Sequence, residues 1–364
     1  MMSRIRWVYC KFNTIEEGRM NMSRLLTVIA SAWMLLSTAA FAGFEPFQPL
    51  PASPPIPSDN LQTSAKIALG KQLYFDSRLS ATYRVSCNGC HNVMSAGDDG
   101  KAVSRGALGI AGKRSAPTLY NVAYQTVYFW DGRAASLEEA IKEHLISPME
   151  MGMKDKSAVV ERLWQTGNYQ QIFADTFGPG VALSYETITQ ALASYIRTLG
   201  TPDSDFDRYL RGDKGAISVQ AKRGYREFIE VGCASCHFWV NLSGPVPGLA
   251  FQMGDGFYEL FPNYPGTKDE ARYQLADDLG RYYVTKDETD RRMWRVPVLR
   301  NVGLTAPYFH NGQVKTLEEA IRVMGSTQLG KVLSRAQQAD IAAFLHTVSG
   351  RFPTQKFPKL PASY

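Results

Sequence analysis

The sequence is short of the features that mark several large protein classes. Lysine and arginine number 40 against 34 acidic residues, a net charge of +6, and no dense basic patch stands out. A nucleic-acid partner is therefore not expected. Part of that charge is local, since residues 1–42 hold five basic residues and two acidic ones. Outside one N-terminal segment, no apolar run approaches the ~20 residues that a membrane-spanning helix needs. Long alternating runs of β-branched residues are missing too, and the periodicity that is present is helical. With 45% hydrophobic and 20% charged residues the chain is not disordered, and 364 residues suffice for two domains of ordinary size.

The N-terminal exception is informative. Leu25–Ala40, "LLTVIASAWMLLSTAA", is an uninterrupted run of apolar and small residues, follows Arg24, and runs into Ala40-Phe41-Ala42, an A-x-A-like cleavage site. This is the layout of a secretory signal peptide over residues 1–42; the run is short for a permanent anchor, which is the alternative. Residues 43–58 are rich in proline and read as an exposed linker without regular structure. The mature chain is expected to be soluble and exported.

Cysteine is scarce. There are five, and Cys10 lies in the signal segment. The other four form two pairs, Cys87-Asn88-Gly89-Cys90-His91 and Cys233-Ala234-Ser235-Cys236-His237. A close pair of cysteines can serve a disulfide, a zinc site or covalent haem attachment. The first two uses leave the histidine after each pair unexplained. A c-type haem uses all three residues: two thiols form thioethers with its vinyl groups, and the imidazole binds the iron. Two covalently bound c-type haems are expected, with His91 and His237 on the irons.

The chain also repeats itself. "APTLYNVAYQTVYFWDGRAASLEEAI" (116–141) and "VPVLRNVGLTAPYFHNGQVKTLEEAI" (296–321) share 12 identities in 26 ungapped positions, each copy downstream of its own C-x-x-C-H. A weaker echo pairs "ASYIRTLG" (193–200) with "AAFLHTVS" (342–349). The spacing of Ile188, Leu192, Tyr195, Ile196 and Leu199 predicts a helix with one buried stripe; Arg197 falls off it, so its counterpart His346 reads as solvent-facing. The expected fold is mainly α, with two cytochrome c-like haem domains in tandem: 59–200 and 201–350, followed by a tail, 351–364, that folds back over the first. From haem histidine to the end of the repeat is 53 positions in the first unit (91 to 144) and 87 in the second (237 to 324). Much of the excess, "SGPVPGLAFQMGDGFYELFPNYPG", reads as a long irregular loop of functional character.

Within the repeat, Ser136-Leu137-Glu138-Glu139 and Thr316-Leu317-Glu318-Glu319 fit the capping box that starts a helix. Leu137, Ala140, Ile141 and His144 then share one helix face, and Leu317, Ala320, Ile321 and Met324 share the matching one. His144 and Met324 thus occupy equivalent inward positions. A thioether there is able to serve as a sixth iron ligand, and His/Met ligation raises the reduction potential.

On "LGKQLYFDSRLS", both haem motifs, "APTLYNV", "FWDGRAASLEEAI", "SPMEMGM", "RVPVLRNVGLTAPYFHNG" and "TLEEAIRVMG", the chain resembles the bacterial diheme cytochrome c peroxidase family from Asp59 to Phe352. The resemblance implies a periplasmic oxidoreductase that reduces hydrogen peroxide to water with electrons from a small cytochrome c or copper protein. It makes His91 and His237 the proximal ligands, Met324 the axial ligand of the electron-entry haem, Trp130 a relay between haems, and Glu150 the distal acid. It leaves a homodimer open. A carboxylate beside bound peroxide moves a proton to the departing oxygen, which promotes O–O cleavage.

Three departures bear on that expectation. Segment 92–117 contains no histidine, whereas family members that are inactive when fully oxidised carry one there. In this the chain is similar to the methylamine-utilisation diheme enzyme, which oxidises a protein tryptophan but has tyrosine where this chain has Met324. Ala140 and His144 stand where the family pattern has glutamine and proline. Ser115 replaces the asparagine of the family's interdomain calcium site, leaving the Thr305 and Pro307 carbonyls as candidate Ca2+ ligands. The alternatives to a peroxidase are a diheme enzyme oxidising a protein residue through high-valent haem, and a non-enzymatic diheme electron carrier. His144 is read as an acid–base partner of Glu150 or as a ligand that closes the first iron at rest.

Overall fold

In each half of the chain the first long helix crosses the last. Ser64–Phe75 packs on Tyr185–Ile196, and Val219–Glu230 packs on Arg335–Thr347. A glycine lets each pair approach closely. A Cβ on Gly70 would lie 1.9 Å from the Ala191 carbonyl oxygen, and one on Gly224 would lie 1.7 Å from that of Asp340. No real side chain tolerates such a distance, so each crossing depends on its glycine. This computed structural model describes residues 46–244 and 256–362; the segment read as a signal peptide lies outside them. The fold is mainly helical, with one two-stranded antiparallel sheet among the described residues.

The helices start where local chemistry provides a cap. Ser184 with Thr187, and Ser334 with Gln337, form reciprocal capping boxes that satisfy orphan N–H groups of the first turn. At Leu137–Ile146 and Leu317–Gln328 only half of the expected box forms. Ser136 and Thr316 accept from the N–H groups of Glu139 and Glu319. Glu139 accepts instead from Ala135 N, and Glu319 turns to Arg322 and Tyr273. The stripe Ile188, Leu192, Tyr195, Ile196 and Leu199 is buried, although the helix ends at Ile196.

Residues from Pro46 onward form one compact unit that contains two main hydrophobic cores. One is built from residues between Leu69 and Leu199. The other combines Phe47 with residues between Phe206 and Val348. The proline-rich linker is therefore not simply exposed. Phe47 packs edge-on against Phe206, and Leu50 N donates to Asp207, because a single aromatic residue is enough to anchor an otherwise irregular strand of chain. The tail does lie on the first half: Phe352 meets Tyr120 at 4.5 Å, Phe357 meets Phe75 at 5.1 Å, and Arg78 donates to the Pro361 carbonyl.

The long segment of the second half is not wholly irregular. Tyr258–Leu260 forms a strand paired antiparallel with Met293–Arg295, with Tyr258 opposite Arg295. Arg197, expected off the buried stripe, is itself buried, because Glu138 reaches it at 2.7 Å and neutralises it. Its counterpart His346 is exposed, as the pattern predicts.

Where the halves meet, the repeat shows itself as approximate twofold symmetry. Asn121 and Asn301 hold the same left-handed backbone, with φ of 65° and 64°. Both side chains donate to the Thr201 hydroxyl, at 2.9 and 3.0 Å. Asn121 N donates to the Leu199 carbonyl, and Asn301 N donates to the equivalent carbonyl of Val348. The two copies of the repeat are thus fastened to each other at one buried threonine.

Candidate active site

Two cavities share part of their lining. The first, about 850 Å³, is lined by Cys87, Cys90 and His91; the second, about 230 Å³, by Cys233, Cys236 and His237. All four cysteines are free, and the pairs line different cavities, so they form neither a disulfide framework nor one shared four-thiolate site.

Behind each histidine stands a carbonyl. His91 Nδ1 donates to the Pro117 carbonyl at 2.9 Å, and His237 Nδ1 donates to that of Leu242 at 3.0 Å. Pro297, the repeat counterpart of Pro117, also places its carbonyl against His237. Burial pushes each imidazole down to about 4, against the pull of those carbonyls, which keeps both rings neutral. A neutral ring with one nitrogen fixed by a carbonyl is the form that offers its other nitrogen to a metal. The donor chemistry therefore fits a haem in each cavity. Sequence reasoning passed over Pro117 and Pro297, although their duplication was the available signal.

The opposite walls differ. In the first cavity Leu137, Ala140, Ile141 and His144 line one side, as the helical spacing predicts. His144 Nδ1 lies 2.7 Å from Glu150 Oε2, and the His144 ring sits 6.0 Å from that of His91. Burial raises the Glu150 carboxyl, but the charge and hydrogen bond of His144, with Arg133 beyond, hold it below the ordinary carboxylate range. Glu150 is held in place by its own backbone, whose carbonyl accepts from Ala107 N at 2.7 Å. In the second cavity Leu317, Ala320, Ile321 and Met324 make the matching wall.

A shared wall separates the cavities. Trp130, Ser115, Gln125, Arg295 and His310 line both. Trp130 Nε1 donates to the Ser115 carbonyl at 2.8 Å, and its ring lies 6.5 Å from His310, which occupies the same place in the second copy. Ser115 N donates to the His310 carbonyl, and Arg295 N donates to that of Trp130, two bonds related by the repeat. The first cavity is also walled by Gln274, Asp277, Asp278 and Tyr283 from the long segment of the second half. Arg114 closes that wall by pairing with Asp278 and Asp131. Thr305 and Pro307 line the second cavity, and no cluster of three or more His, Cys, Asp or Glu suited to a metal ion occurs among the described residues.

Two cavities that each offer a C-x-x-C-H motif, one faced by His144 and Glu150 and one by Met324, suit one class: a two-haem redox protein. The comparisons place it further. The sequence profile described as di-haem cytochrome c peroxidase matches residues 64–215. The chain is 40% identical over 296 residues to cytochrome c551 peroxidase of Pseudomonas aeruginosa, covering 81% of this chain and 82% of that one. It is 33% identical over 326 residues to methylamine utilization protein MauG of Methylorubrum extorquens, covering 85% and 86%. Among solved structures, a MauG-like protein associated with microbial copper homeostasis matches with a TM-score of 0.73 at 27% identity, over 85% of this chain and 95% of that one. The chain belongs to the di-haem cytochrome c peroxidase family; it is an oxidoreductase of the peroxidase kind, with two haem cofactors.

Proposed function

We propose that the protein is exported to the periplasm, carries both haems covalently on its two C-x-x-C-H motifs, and reduces hydrogen peroxide to water in the first cavity. Electrons enter from a small cytochrome c or copper protein at the second haem, which Met324 ligates, and cross the shared wall beside Trp130. The observation that carries this reading is the 2.7 Å contact of His144 with Glu150 in the cavity that holds His91.

When bound, the first haem supplies the iron for peroxide and the path for electrons. The chain supplies the rest. Reduction consumes two electrons and two protons per peroxide and yields two waters, so a group must carry protons at the distal wall. Glu150 Oε2 takes the proton from the near oxygen of peroxide and delivers it to the far oxygen, which leaves as water. His144 holds the carboxylate in register and passes it the next proton. Leu137, Ala140 and Ile141 keep the surrounding wall apolar, which strengthens that transfer. Steady-state turnover of peroxide with a reduced small cytochrome tests the reading; a rate no higher than that of free haem would refute it.

A second reading of His144 has its own observation. Two imidazoles that face each other with ring centres roughly 6 Å apart would both be within reach of one metal, since metal–nitrogen bonds are about 2 Å. His91 and His144 show 6.0 Å. On this reading His144 closes the first iron at rest, with Glu150 orienting it, and takes over from the histidine missing in 92–117. The ferric spin state of His144→Ala separates the two: a change from low to high spin supports closure, and an unchanged high-spin haem with slowed peroxide reaction supports proton transfer. Calcium at the Thr305 and Pro307 carbonyls, and a homodimer, rest on the resemblance alone; equilibrium dialysis and sedimentation test them.

A further inference from the structure

Three arginines are buried among the described residues: Arg197 at 3% exposure, Arg295 at 7% and Arg300 at 0%. Two of them have carboxylates. Arg197 pairs with Glu138, and Arg300 pairs with Asp207 at 2.8 Å. Arg295 has none within ion-pair distance. The carboxylate whose charge reaches it, Asp131, is already held by Arg114 and Arg133. What Arg295 touches is uncharged: Nε donates to the Phe129 carbonyl at 3.0 Å and Nη1 to that of Val296 at 3.2 Å. A buried guanidinium without an anion is costly, and native interiors avoid it.

Its position shows where the anion belongs. Arg295 lines both cavities, and so does His310. His310 is 3% exposed, stacks on Trp294 at 4.3 Å, and has a buried Nε2 with no hydrogen-bond partner. A cation lacking an anion and a ring nitrogen lacking any partner, each more than nine-tenths buried and each lining both cavities, call for polar groups that the occupant of those cavities must bring. Haem brings its own carboxylates, two propionates on the edge opposite the vinyl side. We propose that Arg295 and His310 form a seat for a haem propionate in the wall between the two cavities, and that Arg295 thereby tunes the potential of the haem it holds. The inference rests on the haem reading of both motifs. It assigns Arg295 and His310 a positioning role, with no part in bond making.

The repeat explains why the seat is single. Arg295 occupies the position of Ser115 in the first copy, and His310 occupies that of Trp130. The symmetric seat would need a cation at Ser115 and a free ring nitrogen at Trp130. Trp130 instead spends its Nε1–H on the Ser115 carbonyl. A duplicated wall has become one-sided.

The test uses the holoprotein. Haem content per chain is measured first; fewer than two haems in the wild type would overturn the haem reading and this inference with it, whereas a failure with two haems bound overturns this inference alone. With two haems bound, Arg295→Gln is expected to lower the reduction potential of one haem and shift its propionate bending bands in resonance Raman spectra. Loss of a nearby positive charge favours the ferric state, which carries the extra charge. Arg295→Lys should keep the potential closer to wild type. His310→Phe, which preserves the stack on Trp294, should move the same propionate bands, and it serves if Arg295→Gln fails to fold. Unchanged potentials and bands in folded Arg295→Gln, or unchanged bands in His310→Phe, would overturn the seat. Equal shifts in the Lys and Gln variants would assign Arg295 to backbone clamping only and overturn it as well.

Discussion

In the first cavity the helix Leu137–Ile146 presents His144 to Glu150, and about 850 Å³ is enclosed. In the second, the matching helix Leu317–Gln328 presents Met324 to about 230 Å³. Both helices begin on a capping hydroxyl, follow a Phe with φ near 70° (Phe129 at 66°, Phe309 at 69°), and turn the same face inward. The scaffold is common, so the chemistry diverges through few side chains. On the proposed reading, one end residue and one nearby acid turn a ligand position into a proton-handling wall; a longer second half lends the first cavity part of its lining. Duplication fixed which helix position faces each cavity, and substitution decided what faces it.

The sharpest way to break the comparison is Glu150→Gln. General acid–base catalysis contributes about 10²–10⁴-fold, roughly 3–5 kcal/mol of barrier, so the peroxide reaction followed by stopped flow should slow by that much. The Met324-dependent charge-transfer band should stay as it was. Met324→Ala makes the converse cut: that band should vanish and the second haem's potential fall, with the bimolecular reaction of the prereduced first haem little changed. An intact band would place the ligand elsewhere. Gly70→Ala and Gly224→Ala test whether the halves rest on equivalent crossings. Each should destabilise by at least ~1–3 kcal/mol, read as a lowered denaturation midpoint, and a neutral result at either would dissolve the equivalence. The smallest effect is expected from Trp130→Phe, which removes one hydrogen bond worth about 0.5–1.5 kcal/mol and slows electron transfer between haems. If that rate is unaffected, the wall conducts without Trp130.

Much of the site could be read before any coordinates, because it is written locally. The two C-x-x-C-H motifs need only neighbouring residues, and the face shared by Leu137, Ala140, Ile141 and His144 follows from helical spacing. The contact of His144 with Glu150 spans six positions around a helix end; the repeat singled out His144, and the resemblance supplied Glu150. What escaped is tertiary. Arg295 in "MWRVPV" looks like a surface cation until the strand Met293–Arg295 carries it between the cavities. Arg197 looked solvent-facing because periodicity has no knowledge of Glu138, 59 positions earlier. Phe47 looked like part of a spacer because its partners, Phe206 and Phe344, lie far along the chain. Local rules misplace charged and isolated aromatic residues most, since a distant partner decides whether they are buried.

The knot at Thr201 has a practical meaning for anyone wishing to divide the protein. In sequence the chain reads as two haem domains, 59–200 and 201–350, that simply follow one another there. In space that threonine answers to both copies at once, through Asn121 and Asn301, and Asn301 in turn receives Gly350 N from the far end of the second unit. A cut beside it strands buried amides on whichever piece loses the hydroxyl. The modules are legible as a pair of copies, yet neither is a spare part.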